Sequence, residues 1–197
     1  MLDIKIEENS RGVVQLQRQL PDRFVVPASL QALNRTLTNS RAEVTRRIRG
    51  RVNLKARAIR DSMSQNRATR SRIEASLDFR FRPISLKEYG ARQVRRGVRV
   101  TVMRGRREQL RGLFIQDRMG SHVFGREPQQ RQRPLSGRSG KERWYGLPVQ
   151  KKFGPTVQSQ AKEVLPGMRG YVSDRMLENM RQASNRYLAR VQQGGRR

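Results

Sequence analysis

The chain sets 44 Lys and Arg against 16 Asp and Glu over 197 residues, a formal net charge of +28. No other feature limits its folding as severely, because self-repulsion of that size destabilises a compact monomer in isolation. The sequence therefore implies a chain that works against negative charge: DNA, RNA, an acidic protein surface or an anionic membrane. Leu, Ile, Val and Phe supply 45 residues, just above the ~20% below which a highly charged chain is expected to stay disordered. A modest core is attainable. Arginine makes up 37 of the 44 cations. Its planar guanidinium grips phosphate or carboxylate bidentately and tolerates interface burial better than lysine does. A GC-rich genome would also raise the arginine share, but not the net charge.

The excess is spread along the chain. Residues 41–72 carry +9, 91–126 carry +8, and 127–152 and 153–197 carry +5 each, against +1 for 1–40 and 0 for 73–90. That distribution implies a basic surface on a folded body more than one detachable arm. The absence of Cys and the presence of a single histidine, His122, exclude a disulfide framework, a thiolate zinc site, a Cys nucleophile and a multi-histidine metal centre. No apolar run exceeds three or four residues, so no stretch can span a bilayer or serve as a signal segment.

Catalysis finds little to stand on. His122 has no evident nucleophile and no orienting carboxylate, and is expected to be a hairpin residue. Glu7 and Glu8 are adjacent and Asp3 and Asp78 isolated, which suggests neither a two-carboxylate hydrolase site nor a magnesium site. No glycine-rich phosphate loop occurs. The expectation is a protein without enzymatic activity, metal or cofactor. Zinc-finger, basic-zipper and RNA-stacking signatures are also missing. Phe79 and Phe81 share one strand face, yet with Ile73, Ala75 and Leu77 they are expected to be core.

Periodicity organises the rest. Leu2, Ile4 and Ile6 alternate as a short strand, and Val13, Val14, Leu16 and Leu20 mark a short helix ending at Pro21. Leu30, Leu33, Leu37, Val44 and Ile48 hold one face of a long helix from about Ala28 to Arg49, stopped at Gly50. Asn53 is placed to cap a second helix carrying Leu54, Ala58, Ile59 and Met63. From Ile73 to Phe81 the period becomes two, a half-buried strand ended by Pro83. Val98, Val100 and Val102 give another strand, and residues 104–107 a basic turn around Gly105. Leu113–Ile115 and His122–Phe124 form a hairpin with glycine in its turn. Residues 127–146 read as a long loop. Leu147–Val149 is extended, Gly154-Pro155 opens a short helix through Val164, and Pro166, Gly167 and Gly170 break the chain. Residues 172–191 then close it as an amphipathic helix. Three or four short strands following helices predict an α+β fold: a long N-terminal helix and a C-terminal helix packed on a small antiparallel sheet, with a long basic loop.

Basic residues that could meet phosphate or another subunit fall in two groups. The first is Arg46, Arg47, Arg49, Arg51, Lys55, Arg57 and Arg60, with only Asp61 nearby; the second is Arg95, Arg96, Arg99, Arg104, Arg106 and Arg107. Clusters of this kind suit sequence-independent phosphate contact. They equally suit a solvated helix face or a bridge to a neighbouring subunit.

Several stretches occur in a particular order: Ala32-Leu33-Asn34-Arg35-Thr36, then Thr45-Arg46-Arg47-Ile48-Arg49 leading to Asn53-Leu54-Lys55. Arg111-Gly112-Leu113-Phe114-Ile115 and His122-Val123-Phe124-Gly125-Arg126 come next, and Leu147-Pro148-Val149 followed by Phe153-Gly154-Pro155-Thr156-Val157 completes the series. Over roughly residues 28–192 this resembles the minor tail protein Z family of tailed bacteriophages. The resemblance implies a single tail-completion domain over 1–197, divided into a helical part (27–66), strands (72–126), a flexible insert (127–146) and a strand with C-terminal helices (147–197). It implies a structural virion protein at the head-to-tail junction, assembled in the host cytoplasm. There a homo-oligomeric ring, usually sixfold, caps the tail tube. Its expected partners are the tail terminator or tail tube protein, a head-completion or connector protein and the end of the viral double-stranded DNA, with no membrane. No catalytic residues carry over. Arginines lining such a ring could hold the DNA end without reading sequence, or could lie at subunit interfaces. The insert at 127–143 departs from the family pattern. The rival expectation is a sequence-independent nucleic-acid-binding protein of ribosomal or chromatin type.

Overall fold

The computed structural model describes residues 2–6, 11–20, 22–126, 135–136, 142–143 and 149–194. In chain order the elements are β1 (Leu2–Ile6), α1 (Arg11–Arg18), α2 (Asp22–Arg51), α3 (Ala56–Asp61), β2 (Met63–Asn66), β3 (Ala75–Phe79) and β4 (Ile84–Ser85). Next come β5 (Arg92–Val94), β6 (Gly97–Val100), β7 (Glu108–Leu110), β8 (Leu113–Gln116) and β9 (His122–Arg126). The chain ends with β10 (Leu135–Ser136), β11 (Glu142–Arg143), β12 (Val149–Lys151), β13 (Phe153–Gly154), α4 (Val157–Val164) and α5 (Arg169–Gly194). The fold is α+β, as predicted. Two compact units emerge: one from the described residues of Met1–Arg49, Ala56–Arg82 and Val157–Arg197, the other from those of Gly50–Lys55 and Pro83–Thr156.

The first unit packs helices on one antiparallel sheet of order β1-β3-β2. Ala75, Leu77 and Phe79 of the central strand are buried, as is Met63 opposite Phe79, and α4 packs against β3. Ala28, Ala32, Leu33, Leu37, Val44 and Ile48 bury one face of α2. Thr36 lies within that face, wholly buried. Its hydroxyl donates to the Ala32 carbonyl (2.8 Å) and accepts from the Asn179 amide of α5 (3.0 Å), so this buried polar contact between the two long helices is satisfied, whereas the buried hydroxyls of Ser40 on α2 and Ser184 on α5 find no partner among the described residues. Asn34 forms a reciprocal pair with the backbone of Ala68, 3.0 Å to its carbonyl and 2.9 Å from its N–H. That pair fixes the β2–β3 connection on α2.

The second unit is built from short antiparallel pieces: a β5-β6-β7 sheet, a β12-β9-β8 sheet and a two-residue β13-β4 pair. Strand β8 also packs on β5 and β6. Val52, Leu54, Leu86, Tyr89, Val98, Val100, Val123 and Phe124 form its core. The Tyr89 hydroxyl donates to the Pro155 carbonyl, and burial pushes its pKa up to about 12. A side chain at Gly154 would meet the Tyr89 ring at 2.5 Å, so glycine lets β13 close over that ring.

Several expectations are corrected. Helix α2 begins at Asp22, not near Ala28, and continues through Pro27. Pro27 removes only one N–H from the ladder near the helix start, and Phe24 in the added turn stacks on Tyr187 of α5 at 5.4 Å. Asn53 caps nothing: its amide donates to the Tyr89 carbonyl (3.2 Å) and its N–H to that of Val102 (2.9 Å). The helix after it is only Ala56–Asp61, and Met63 opens a strand. Strand β3 is shorter than Ile73–Phe81, and those two residues are 41% and 73% exposed. The partner strand β2 pairs only with Ser76 to Phe79, so the ladder runs out before Phe81. Val102 lies beyond the end of β6. Gly170 does not break the chain; it sits in the first turn of α5, where glycine is tolerated at about 1 kcal/mol, and the break is the 3-10 turn Leu165–Met168 before it. Three or four strands become thirteen short ones among the described residues, because two- and three-residue pairings leave no readable alternation. Of the predicted loop at 127–146, only the β10-β11 backbone pair is described. The rest, with Leu147 and Pro148, lies outside the described residues.

Candidate nucleic-acid interface

The two predicted basic groups meet different fates. On α2, Glu43 collects both Arg46 and Arg47. Arg46 reaches its carboxylate through Nε and a terminal nitrogen, each at 2.8 Å, and Arg47 Nε adds a third bond at 2.8 Å. Arg47 also donates to the Gly167 carbonyl (2.8 Å), fastening α2 to the turn before α5. The hydrogen bond from Arg46, helped by Arg47, overcomes the burial of Glu43 and holds its pKa at about 2. These two arginines are thus paired by the helix's own carboxylate, Arg46 while still largely exposed, and the partner that sequence reasoning overlooked stands three and four residues upstream, the ordinary helical spacing for such pairs.

The remaining members of that group are divided between the two units. Arg49, Lys55, Arg57 and Arg60 are exposed, Arg57 lying 3.8 Å from Asp61. The Arg60 carbonyl accepts from Arg41 (2.9 Å) and the Arg51 carbonyl from the N–H of Arg104 (2.8 Å). Gly50–Lys55 belongs to the second unit while Arg46, Arg47, Arg49, Arg57 and Arg60 belong to the first.

The second group falls on one three-stranded sheet and is divided between its two ends. Arg95 and Arg96 form the two-residue tip of the β5–β6 hairpin, between paired Val94 and Gly97. Arg99 lies opposite Arg92 on β5 and Gln109 on β7, all three exposed. Like charges placed directly across an antiparallel pair repel, and among the described residues no carboxylate of the three strands stands in register with them. Arg104 and Arg107 are exposed at the β6–β7 turn, where Arg106 pairs with Glu108 at 3.1 Å. Arg92 and Arg126 were not singled out in the sequence, because Arg92 gains its meaning only from a three-residue strand and Arg126 from a ring contact.

A groove of about 540 Å³ opens beside the hairpin tip, walled by Arg95, Arg96 and Gly97 on one side and by Gly112, Leu113, Phe114 and Arg126 on the other. Its floor is pinned by Gln93. The Gln93 amide donates to the Gly97 carbonyl (2.9 Å) while its oxygen accepts from the Ile115 N–H (2.7 Å), tying the hairpin to β8. Gly97 has φ +124°, and a Cβ there would lie 2.2 Å from the Leu110 carbonyl oxygen. Only glycine allows β6 and β7 to approach so closely. The Arg126 guanidinium stands 5.7 Å from the Phe114 ring centre, and Phe124 stacks on the same ring at 6.2 Å.

His122 opens β9, as the hairpin reading expects, with Nδ1 3.1 Å from the Ser85 hydroxyl. Burial first, then Lys151 and Lys87, lower its pKa against the opposing influence of Glu88. Among the described residues no cluster of His, Asp and Glu could hold a metal ion, and no helix is long and apolar enough to cross a membrane. No family model, curated protein or solved structure matches the chain.

Proposed function

We propose that this chain is a structural virion protein of a tailed bacteriophage, a tail-completion protein of the head-to-tail junction. In this reading it forms a ring that caps the tail tube, joins it to the connector and meets the end of the genome through arginines. One observation carries the reading: the segments behind the resemblance coincide with the joints of the fold. Asn34 fixes the β2–β3 connection, and Arg47 fastens α2 to the turn before α5. Leu113–Ile115 and His122–Arg126 lie in the paired strands β8 and β9, and Gly154 closes over Tyr89. A resemblance concentrated at such joints bears on architecture more than on surface composition. The expected partners are further copies of the chain, the tail tube or its terminator, a connector protein and the DNA end.

Mass by light scattering on the purified chain in ~0.5 M salt tests the reading, since screening there falls to a few ångströms and suppresses nucleic-acid bridging. A discrete multimer near six subunits, or a monomer that becomes one on added tail tubes, supports it. A chain that stays monomeric and ignores tail tubes while binding nucleic acid overturns it. The unopposed arginines of the β5-β6-β7 face favour that second reading, a sequence-independent nucleic-acid-binding protein.

A further inference from the structure

We infer that the groove beside the β5–β6 hairpin tip binds a short stretch of single-stranded nucleic acid, with phosphates on Arg95, Arg96 and Arg126 and a base against Leu113 and Phe114. The inference goes beyond the duplex-end contact in the reading above and is independent of ring formation and of any tail partner.

Three features of the groove point to this ligand class. First, its walls are divided by chemistry: guanidiniums at the tip and at the end of β9, an aromatic ring and an aliphatic side chain between them. Phosphate suits the former and a base face the latter, the combination by which proteins hold single strands without reading sequence. An inorganic anion would leave the apolar wall unused, and a duplex, with its bases stacked inside, would offer that wall nothing. Second, the size fits. About 540 Å³ holds a unit of nucleotide scale, whereas a duplex could only lie across the opening. Third, the groove is built and not incidental. Gln93 staples its two sides together, and Gly97 permits the backbone approach beneath it. Among the described residues no carboxylate lines it.

Arg126 is the residue that joins the two halves of the site, since its guanidinium lies over the Phe114 ring. A base entering the groove would meet the half-buried ring beside that cation, and the guanidinium plane itself offers a face for stacking. Three neutralised phosphates on a single strand correspond to a salt slope of about 2 in log K against log salt.

The experiment is fluorescence anisotropy with labelled (dT)12 and with the same length as a duplex, on the full chain in ~0.1 M salt. Arg95→Gln with Arg96→Gln should weaken (dT)12 binding about tenfold or more and lower the salt slope by about 1.4. Arg67→Gln with Arg70→Gln removes the same charge from exposed positions in the first unit and should cost less than threefold. Phe114→Leu should weaken (dT)12 about fivefold or more and leave duplex binding unchanged, while Phe114→Tyr keeps the ring and restores binding. The Leu variant is compared at matched folding, checked by its thermal melt, and the Tyr variant keeps the test decisive if Leu destabilises the unit. Equal losses from the two double variants would overturn the proposal. So would a Phe114→Leu chain that binds (dT)12 normally, a duplex that binds as tightly and with the same dependence on Phe114, or poly-glutamate displacing (dT)12 at equal charge concentration. None of these outcomes reports on oligomeric mass, so failure of the groove and failure of the ring are separate results.

Discussion

The two units carry the same abundant side chain and use it in opposite ways. In the helical unit several arginines are engaged by the fold, Arg35 with Gln182 (2.6 Å), Arg41 with Gln65 and the Arg60 carbonyl, Arg46 and Arg47 with Glu43, Arg175 with Glu178 (2.5 Å), while others such as Arg49, Arg67 and Arg70 stay exposed. In the strand unit Arg92, Arg95, Arg96, Arg99, Arg104 and Arg107 have no carboxylate within ion-pair distance among the described residues, and Arg92 and Arg99 face each other. Net charge therefore does not locate a binding surface; the placement of the few carboxylates does. Glu43 turns a basic helix turn into a structural clasp, and its lack of a counterpart on the β5-β6-β7 face leaves that charge for an external anion.

The largest effect that would sharpen the contrast lies in the strand unit's backbone. Gly97→Ala puts a Cβ 2.2 Å from the Leu110 carbonyl oxygen at a φ of +124°. Backbone strain and overpacking together should cost about 2–5 kcal/mol, read as a fall in urea midpoint. An unchanged midpoint would mean that β6 and β7 are not held at this separation, and the groove above them would lose its frame.

A smaller effect breaks the helical side of the comparison. Glu43→Gln removes the charge from three charge-assisted bonds and replaces one of their two accepting oxygens by an NH2 donor, and should cost about 1–2 kcal/mol at pH 7, partly screened because Arg46 is largely exposed. The same carboxylate sets a pH signature. Its pKa is depressed from 4.5 to about 2 in the folded chain, so its contribution is fully present above about 4.5 and is lost as pH falls toward 2. Denaturation midpoints between pH 5 and 2 should fall more steeply for the wild type than for Glu43→Gln. Parallel curves would show that Glu43 is not clasped.

How much of this was legible in the sequence follows the range of the interactions. The long helices were readable because Leu33, Leu37, Val44 and Ile48 repeat at local spacing, and so was the β8–β9 hairpin with Gly120 in its turn. The pairing of β1 with β3 joins residues 69 to 77 positions apart, and no local period reports it. Phe81 was misread for a related reason: alternation continues in the sequence after the partner strand has ended. At the candidate site, Arg95, Arg96 and Arg99 were visible as charge. Arg92 and Arg126 needed strand register and a ring contact to acquire a role. Glu43, by contrast, was there to be found at i,i+3 and i,i+4, and only a count of cations that began after it hid the pair.

The smallest predicted effect has the opposite sign to the others and tests the strand unit directly. Arg92 and Arg99 sit opposite each other across β5 and β6, both exposed, with the neutral Gln109 beside them. Replacing Arg92 by Gln removes one member of a repelling cross-strand pair and should raise the urea midpoint slightly in low salt. Salt screens exposed charges over about 10 Å at 0.1 M and about 3 Å at 1 M, so the gain should vanish at the higher concentration. The corresponding change in the helical unit, Arg46→Gln, removes an attractive partner of Glu43 and should lower the midpoint. Opposite signs from the same substitution in two units would show that arginine is retained on the β5-β6-β7 face at the expense of stability, as expected of a surface whose counter-charge arrives from outside. Equal signs would mean that carboxylates outside the described residues already neutralise that face, and the case for an external anion there would fail.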